Sequence, residues 1–69
     1  MSQDYNYSIT FTDGDFEKTI YAPTLDRAKK EAKDVRNWPL EISDYRKMYV
    51  TIQNDDLVGE LVLNYEDLQ

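Results

Sequence analysis

An α+β domain with the element order ββαββ is the fold class predicted for this chain, and three observations predict it. Four short segments alternate apolar and polar residues with the period of two that a strand imposes. One segment between the second and third spaces its apolar residues by three and four, as a helix does. Turn and breaker residues separate these segments, and a run of two hairpins around one helix builds a sheet with the helix across its apolar face. At 69 residues the chain forms one domain, 1–69, because two cores cannot be built from so short a sequence.

The first strand comes from Tyr5, Tyr7, Ile9 and Phe11 alternating with Asn6, Ser8, Thr10 and Thr12. Asp13-Gly14 follows, a dipeptide that tolerates positive φ in a two-residue hairpin turn. In the second strand Phe16, Ile20 and Ala22 alternate with Glu17, Thr19 and Tyr21. A two-residue turn pairs Phe11 with Phe16, Ile9 with Lys18, Tyr7 with Ile20 and Tyr5 with Ala22, leaving Lys18 as the misfit on the apolar face. Pro23 ends that strand and Thr24 is a helix N-cap. Leu25, Ala28, Ala32 and Val35 form one narrow stripe, which predicts a helix lying close against the sheet and stopped by Trp38-Pro39. Leu40 and Ile42 are expected to tuck beneath the core. Met48, Val50 and Ile52 mark the third strand, with Lys47 inside it, and Asn54-Asp55-Asp56 a turn. The fourth strand carries Leu57, Gly59, Leu61, Leu63 and Tyr65 against Val58, Glu60, Val62 and Asn64.

The fourth strand is the most apolar, which predicts an interior position, while Lys18 and Lys47 predict that the second and third strands are edges. The expected order is therefore 2-1-4-3 in a mixed, largely antiparallel sheet, with the first and last strands parallel at the centre. In element order this resembles the β-grasp modules, including the bacterial immunoglobulin-binding domains; the resemblance implies topology only.

Several function classes are excluded or disfavoured by composition. Without cysteine or histidine the chain has no disulfide, thiolate nucleophile or histidine-based triad. The turn acids of Asp13-Gly14-Asp15 and Asn54-Asp55-Asp56 do not fit a twelve-residue calcium loop, so no metal or other cofactor is expected. No paired carboxylates flank an inferable pocket, and so small a core is expected to leave no cleft on the order of several hundred Å³, so an enzyme is not expected. No apolar run approaches the length of a membrane span and the start is polar, which predicts a cytoplasmic domain.

Charge points toward a protein partner. The formal net charge is −6, with an excess of acids in the two hairpin segments and a local excess of bases only in residues 25–39. There Lys29, Lys30, Lys33 and Arg36 gather on one helix flank, the alternative face for a nucleic-acid-binding module. Pairing through Asp26–Lys30, Arg27–Glu31 and Lys30–Asp34 explains that flank as an ordinary solvated face, and nucleic acid is disfavoured. On the sheet face opposite the helix the alternation places Tyr21, Tyr49, Val58 and Val62, with Tyr45 nearby, among Ser8, Thr10, Thr19 and Thr51 and rimmed by Asp15, Glu17 and Glu60. Tyrosines and valines beside acids go beyond what a solvated sheet needs and read as a partner-binding surface. In overall character, small, acidic and free of cysteine, the chain resembles the phage-encoded inhibitors of host defence called the anti-CRISPR class. That resemblance implies a host-cytoplasmic inhibitor whose acids stand in for phosphates on a basic protein or nucleoprotein complex. A self-associating homodimer is the further alternative.

Overall fold

Asp13 sets the first hairpin. In the computed structural model, which describes residues 7–54 and 60–69, its Oδ1 accepts the N–H groups of Asp15 and Phe16, each at 2.9 Å. The turn therefore spans four residues, not two. Gly14 takes the one positive φ among the described residues (100°), which a side chain would strain. Strand β1 (Tyr7–Thr12) precedes this turn and β2 (Glu17–Ala22) follows it. The register is shifted by two residues from the expected one: Ile9 faces Ile20, Tyr7 faces Ala22 and Phe11 faces Lys18. A shift of two preserves which side chains share a face. It also moves Lys18 from beside Ile9 to the end of the sheet, where its Nζ donates to the carbonyl of Asn37 at 3.1 Å.

Helix α1 (Leu25–Lys33) starts as expected, with the Thr24 hydroxyl accepting the Arg27 N–H at 3.1 Å. It ends earlier than expected. Asp34 leaves helical geometry (ψ 110°), and a separate 3-10 turn runs from Val35 to Asn37. Side chains take over the orphan carbonyls at the helix end: Asn37 Nδ2 donates to Glu31 O at 2.9 Å and Trp38 Nε1 to Ala32 O at 2.9 Å. Ala28 and Ala32 are fully buried, so the helix does lie close on the sheet, but Val35 is 63% exposed and outside the stripe. Ile42 is buried as expected, whereas Leu40 is 91% exposed.

A second 3-10 turn, Tyr45–Lys47, leads into β3 (Tyr49–Asn54), and β4 (Glu60–Asn64) runs into a third, Tyr65–Leu68, whose Leu68 is buried. The sheet order is β2-β1-β3-β4 with every neighbouring pair antiparallel. This corrects the expected order 2-1-4-3: β1 pairs with β3, no parallel pair stands at the centre, and the β-grasp arrangement is not formed. Two physical reasons account for it. Val50 and Ile52, at 0% and 2% exposure, need covering strands on both sides, so β3 is interior. The apolar residues of β4 are not all core residues, since Val62 stands on the opposite face. Lys47, expected inside the third strand as an edge charge, lies in the preceding 3-10 turn. The Asp55-Asp56 turn lies outside the described residues.

The core sits between the sheet and the helix layer, with Ile9, Phe11, Met48, Val50 and Ile52 against Ala28, Ala32 and Trp38. Burying each large member contributes about 1.5–3 kcal/mol. Trp38 meets Tyr45 edge-on at 5.0 Å between centroids and Tyr65 at 6.3 Å, closing the end of the core. No helix among the described residues is long and apolar enough to cross a membrane.

Candidate functional site

The helix and the 3-10 turns cover one face of the sheet, so alternation leaves the other face with three cross-strand rows. Read from β2 to β4, they are Tyr21–Ser8–Gln53–Glu60, Thr19–Thr10–Thr51–Val62 and Glu17–Thr12–Tyr49–Asn64. No lysine or arginine occurs among these residues. Glu17 and Glu60 occupy opposite corners, about 20 Å apart from strand spacing and rise. Tyr21, 58% exposed, stands at a third corner, and Val62 (47%) and Tyr49 (39%) stand beside the fourth, so these side chains lie on either side of the line joining the two acids. The centre is small and hydroxylic, with the Thr10 and Thr19 hydroxyls hydrogen-bonded at 3.1 Å. Thr12 is buried at its end of the face, where its Oγ1 accepts the Gly14 N–H.

Most of the anticipated residues meet on this face. Glu17, Tyr21, Tyr49, Glu60 and Val62 share it, and Asp15 stands exposed in the adjoining turn. Val58 lies outside the described residues. Tyr45 does not belong: it is half-buried on the helix side, packed against Trp38, with its hydroxyl donating to Pro39 O at 2.9 Å. Gln53 and Asn64 join the face unanticipated, although period-two alternation from Thr51 and Val62 includes them.

Electrostatics separate the acids into two kinds. Asp34 and Asp44 are committed: each carboxylate grips the guanidinium two residues on, Asp34 with Arg36 and Asp44 with Arg46. These hydrogen bonds hold both aspartates below the usual carboxylate range and push both arginines up. Asp13 is lowered first by the Phe16 N–H and then by that of Asp15. The carboxylates of Asp15, Glu17 and Glu60, by contrast, make no ion pair among the described residues and remain available.

The alternative basic flank is shorter than expected. Lys29, Lys30 and Lys33 are exposed on α1, but Arg36 sits beyond the helix end and is held by Asp34 at 2.8 Å. Of the three expected helix pairs, Arg27–Glu31 forms at 2.8 Å, while Asp34 turns to Arg36 in place of Lys30.

Among the described residues, open grooves of about 430 and 480 Å³ interrupt the surface, larger than a core this small was expected to leave. The first is lined by the Arg27–Glu31 and Asp34–Arg36 pairs together with Lys30 and Asn37. The second lies between the last two 3-10 turns, beside Tyr49, Asn64 and Tyr65, and adjoins one end of the uncovered face. Among the described residues no group of three or more acids is placed to hold a metal ion. Compared with protein-family models, curated proteins and solved structures, the chain finds no match in any of the three.

Proposed function

We propose that the chain is a protein-interaction module whose uncovered sheet face docks on a basic surface of its partner. One observation carries this reading: among the described residues the face combines exposed Tyr21, Tyr49 and Val62 with Glu17 and Glu60, which make no ion pair, and holds no lysine or arginine. Tyrosine supplies contact area for little lost rotamer freedom, and the acids steer the encounter and select against acidic surfaces. Four short strands cover less than the roughly 800 Å² per partner of a standard interface. The partner therefore also reaches the turn bearing Asp15. The kind of partner that fits is a nucleic-acid-binding protein or nucleoprotein effector, such as a host-defence complex, whose basic channel would be occupied in place of phosphates.

The test begins with capture from a host lysate and continues with association kinetics on the captured protein. D15K/E17K/E60K brings the formal net charge of −6 to zero. It is expected to slow association about tenfold or more at low salt, with a smaller effect at high salt. K29E/K33E/R36E should change the rate much less. Tyr49→Ala should speed dissociation and leave the salt slope of association unchanged. Loss of binding in the helix-flank variant with retention in the acid-reversed one would overturn the reading and assign the site to the basic flank that carries Lys29, Lys33 and Arg36.

A further inference from the structure

The two edges of the sheet are built differently. β2 carries Glu17 and Lys18, charges that discourage another strand from adding there. β4, Glu60-Leu61-Val62-Leu63-Asn64, has no lysine, arginine or proline and leaves Leu61 36% and Val62 47% exposed. Among the described residues no strand pairs with its outer side. Unpaired backbone groups flanked by apolar side chains make such an edge a template for strand addition.

We propose that the occupant is β4 of a second copy of this chain, antiparallel, about a two-fold axis through Val62. Residues directly opposite in an antiparallel pair point to the same face, so only a register centred on a residue keeps both helix layers on one side. Among such registers, the one centred on Val62 pairs the whole strand. It sets Val62 against Val62 of the second copy, Leu61 against Leu63 and Glu60 against Asn64. Apolar meets apolar on both faces and no charge meets its like. β2 has no equivalent: centred on Thr19 or Ile20, self-pairing puts Lys18 against Ile20 or Ala22. The product is an isologous dimer with one continuous sheet.

The association is weak. Two strands of five residues bury well under the roughly 1,200 Å² of a stable complex. The Asn64 N–H is already held by Asp67 Oδ2 at 3.0 Å, and each copy carries a charge of −6. Salt strengthens this pairing by screening like charges, whereas it weakens docking on a basic partner, so the two proposals fail separately. The edge pairing does not depend on the sheet-face reading.

The chain has no cysteine, so a single V62C substitution reports the axis. Opposed residues in an antiparallel pair have Cα atoms about 4.5–5.5 Å apart, within disulfide range. With oxidised glutathione, V62C should form a disulfide-linked dimer about tenfold faster than T19C on β2, and faster still as salt rises. E60C mixed with N64C should give the mixed dimer in preference to either homodimer. Equal rates for V62C and T19C, E60C homodimers as abundant as mixed ones, or a V62C rate that falls with salt would each overturn the proposal. Fastest crosslinking at S8C, in the middle of the uncovered face, would overturn it too by assigning self-association to that face.

Discussion

Asp34 and Asp44 perform the same task on two different segments. Each stands one residue before a 3-10 turn, accepts the backbone N–H of the arginine two residues on, and holds that arginine's guanidinium with both oxygens. The Asp-x-Arg spacing is visible in the sequence, but the three-four-three periodicity from Leu25 to Val35 runs straight through the first copy. Periodicity records where apolar residues fall; it does not register that an aspartate side chain offers the backbone a partner outside the helix. Buried and exposed residues on β1 were easier to tell apart. Ile9 is fully buried while Thr10, its neighbour, faces outward beside Thr19. Ile9→Ala is expected to lower stability by about 2–5 kcal/mol and Thr10→Ala by less than about 1 kcal/mol, as measured by urea unfolding. Similar losses at the two positions would show that the strand's faces are wrongly assigned.

At the scale of elements, alternation settles faces and leaves register open. The expected and observed hairpins differ by two residues and place the same side chains inward, so no face argument separates them. The difference lies in Asp13, whose carboxylate organises a turn twice as long as the Asp-Gly dipeptide suggests. Gly14 remains essential in either turn. A Cβ there would touch nothing within 4 Å, so the cost of Gly14→Ala comes from its φ of 100° alone. A loss of about 1–3 kcal/mol is expected, read from the urea midpoint with an unchanged slope. Helix α1 was legible at its start, where Thr24 caps as expected, and illegible at its end, where Asn37 and Trp38 satisfy carbonyls from outside the helix.

For the whole molecule, the cations are sorted and the acids are not: no lysine or arginine stands in the cross-strand rows of the uncovered face, whereas acids occur both there (Glu17, Glu60) and off it (Asp26, Glu41, Glu66). That much was legible, because strand alternation and helix spacing both follow from local sequence. Strand order was not, since it depends on which distant strands bury Val50 and Ile52 together. Tyr45 was misplaced for a related reason, its segment having no period from which a face could be read. Charge also shapes the response to acid. Asp13, Asp34 and Asp44 all have folded-state values below the ordinary 3.8. Their contribution is therefore complete above that value and is lost as pH falls below it toward the lowered folded values. Between neutrality and the isoelectric point near 4.3, titration instead relieves repulsion among the excess acids. The melting temperature is expected to hold or rise from pH 7 to about 4.3 and to drop below 3.8, by calorimetry across that range. A steady fall beginning near pH 6 would contradict this.

β1 lies between β2 and β3, and these two partners are made at very different moments of synthesis. β2 follows β1 across a four-residue turn, whereas Tyr49, the first residue of β3, comes after the whole of α1 and its connections. At cellular translation speeds the gap from Ala22 to Tyr49 corresponds to about 1–5 s. A two-stranded hairpin is marginal by itself in water, so the growing chain has no stable stopping point while it waits. Ile9 and Phe11 have no sheet neighbour on their second side until β3 emerges. In the cell, that makes this strand's second edge the nascent chain's point of exposure to chaperones, proteases and other unfinished copies.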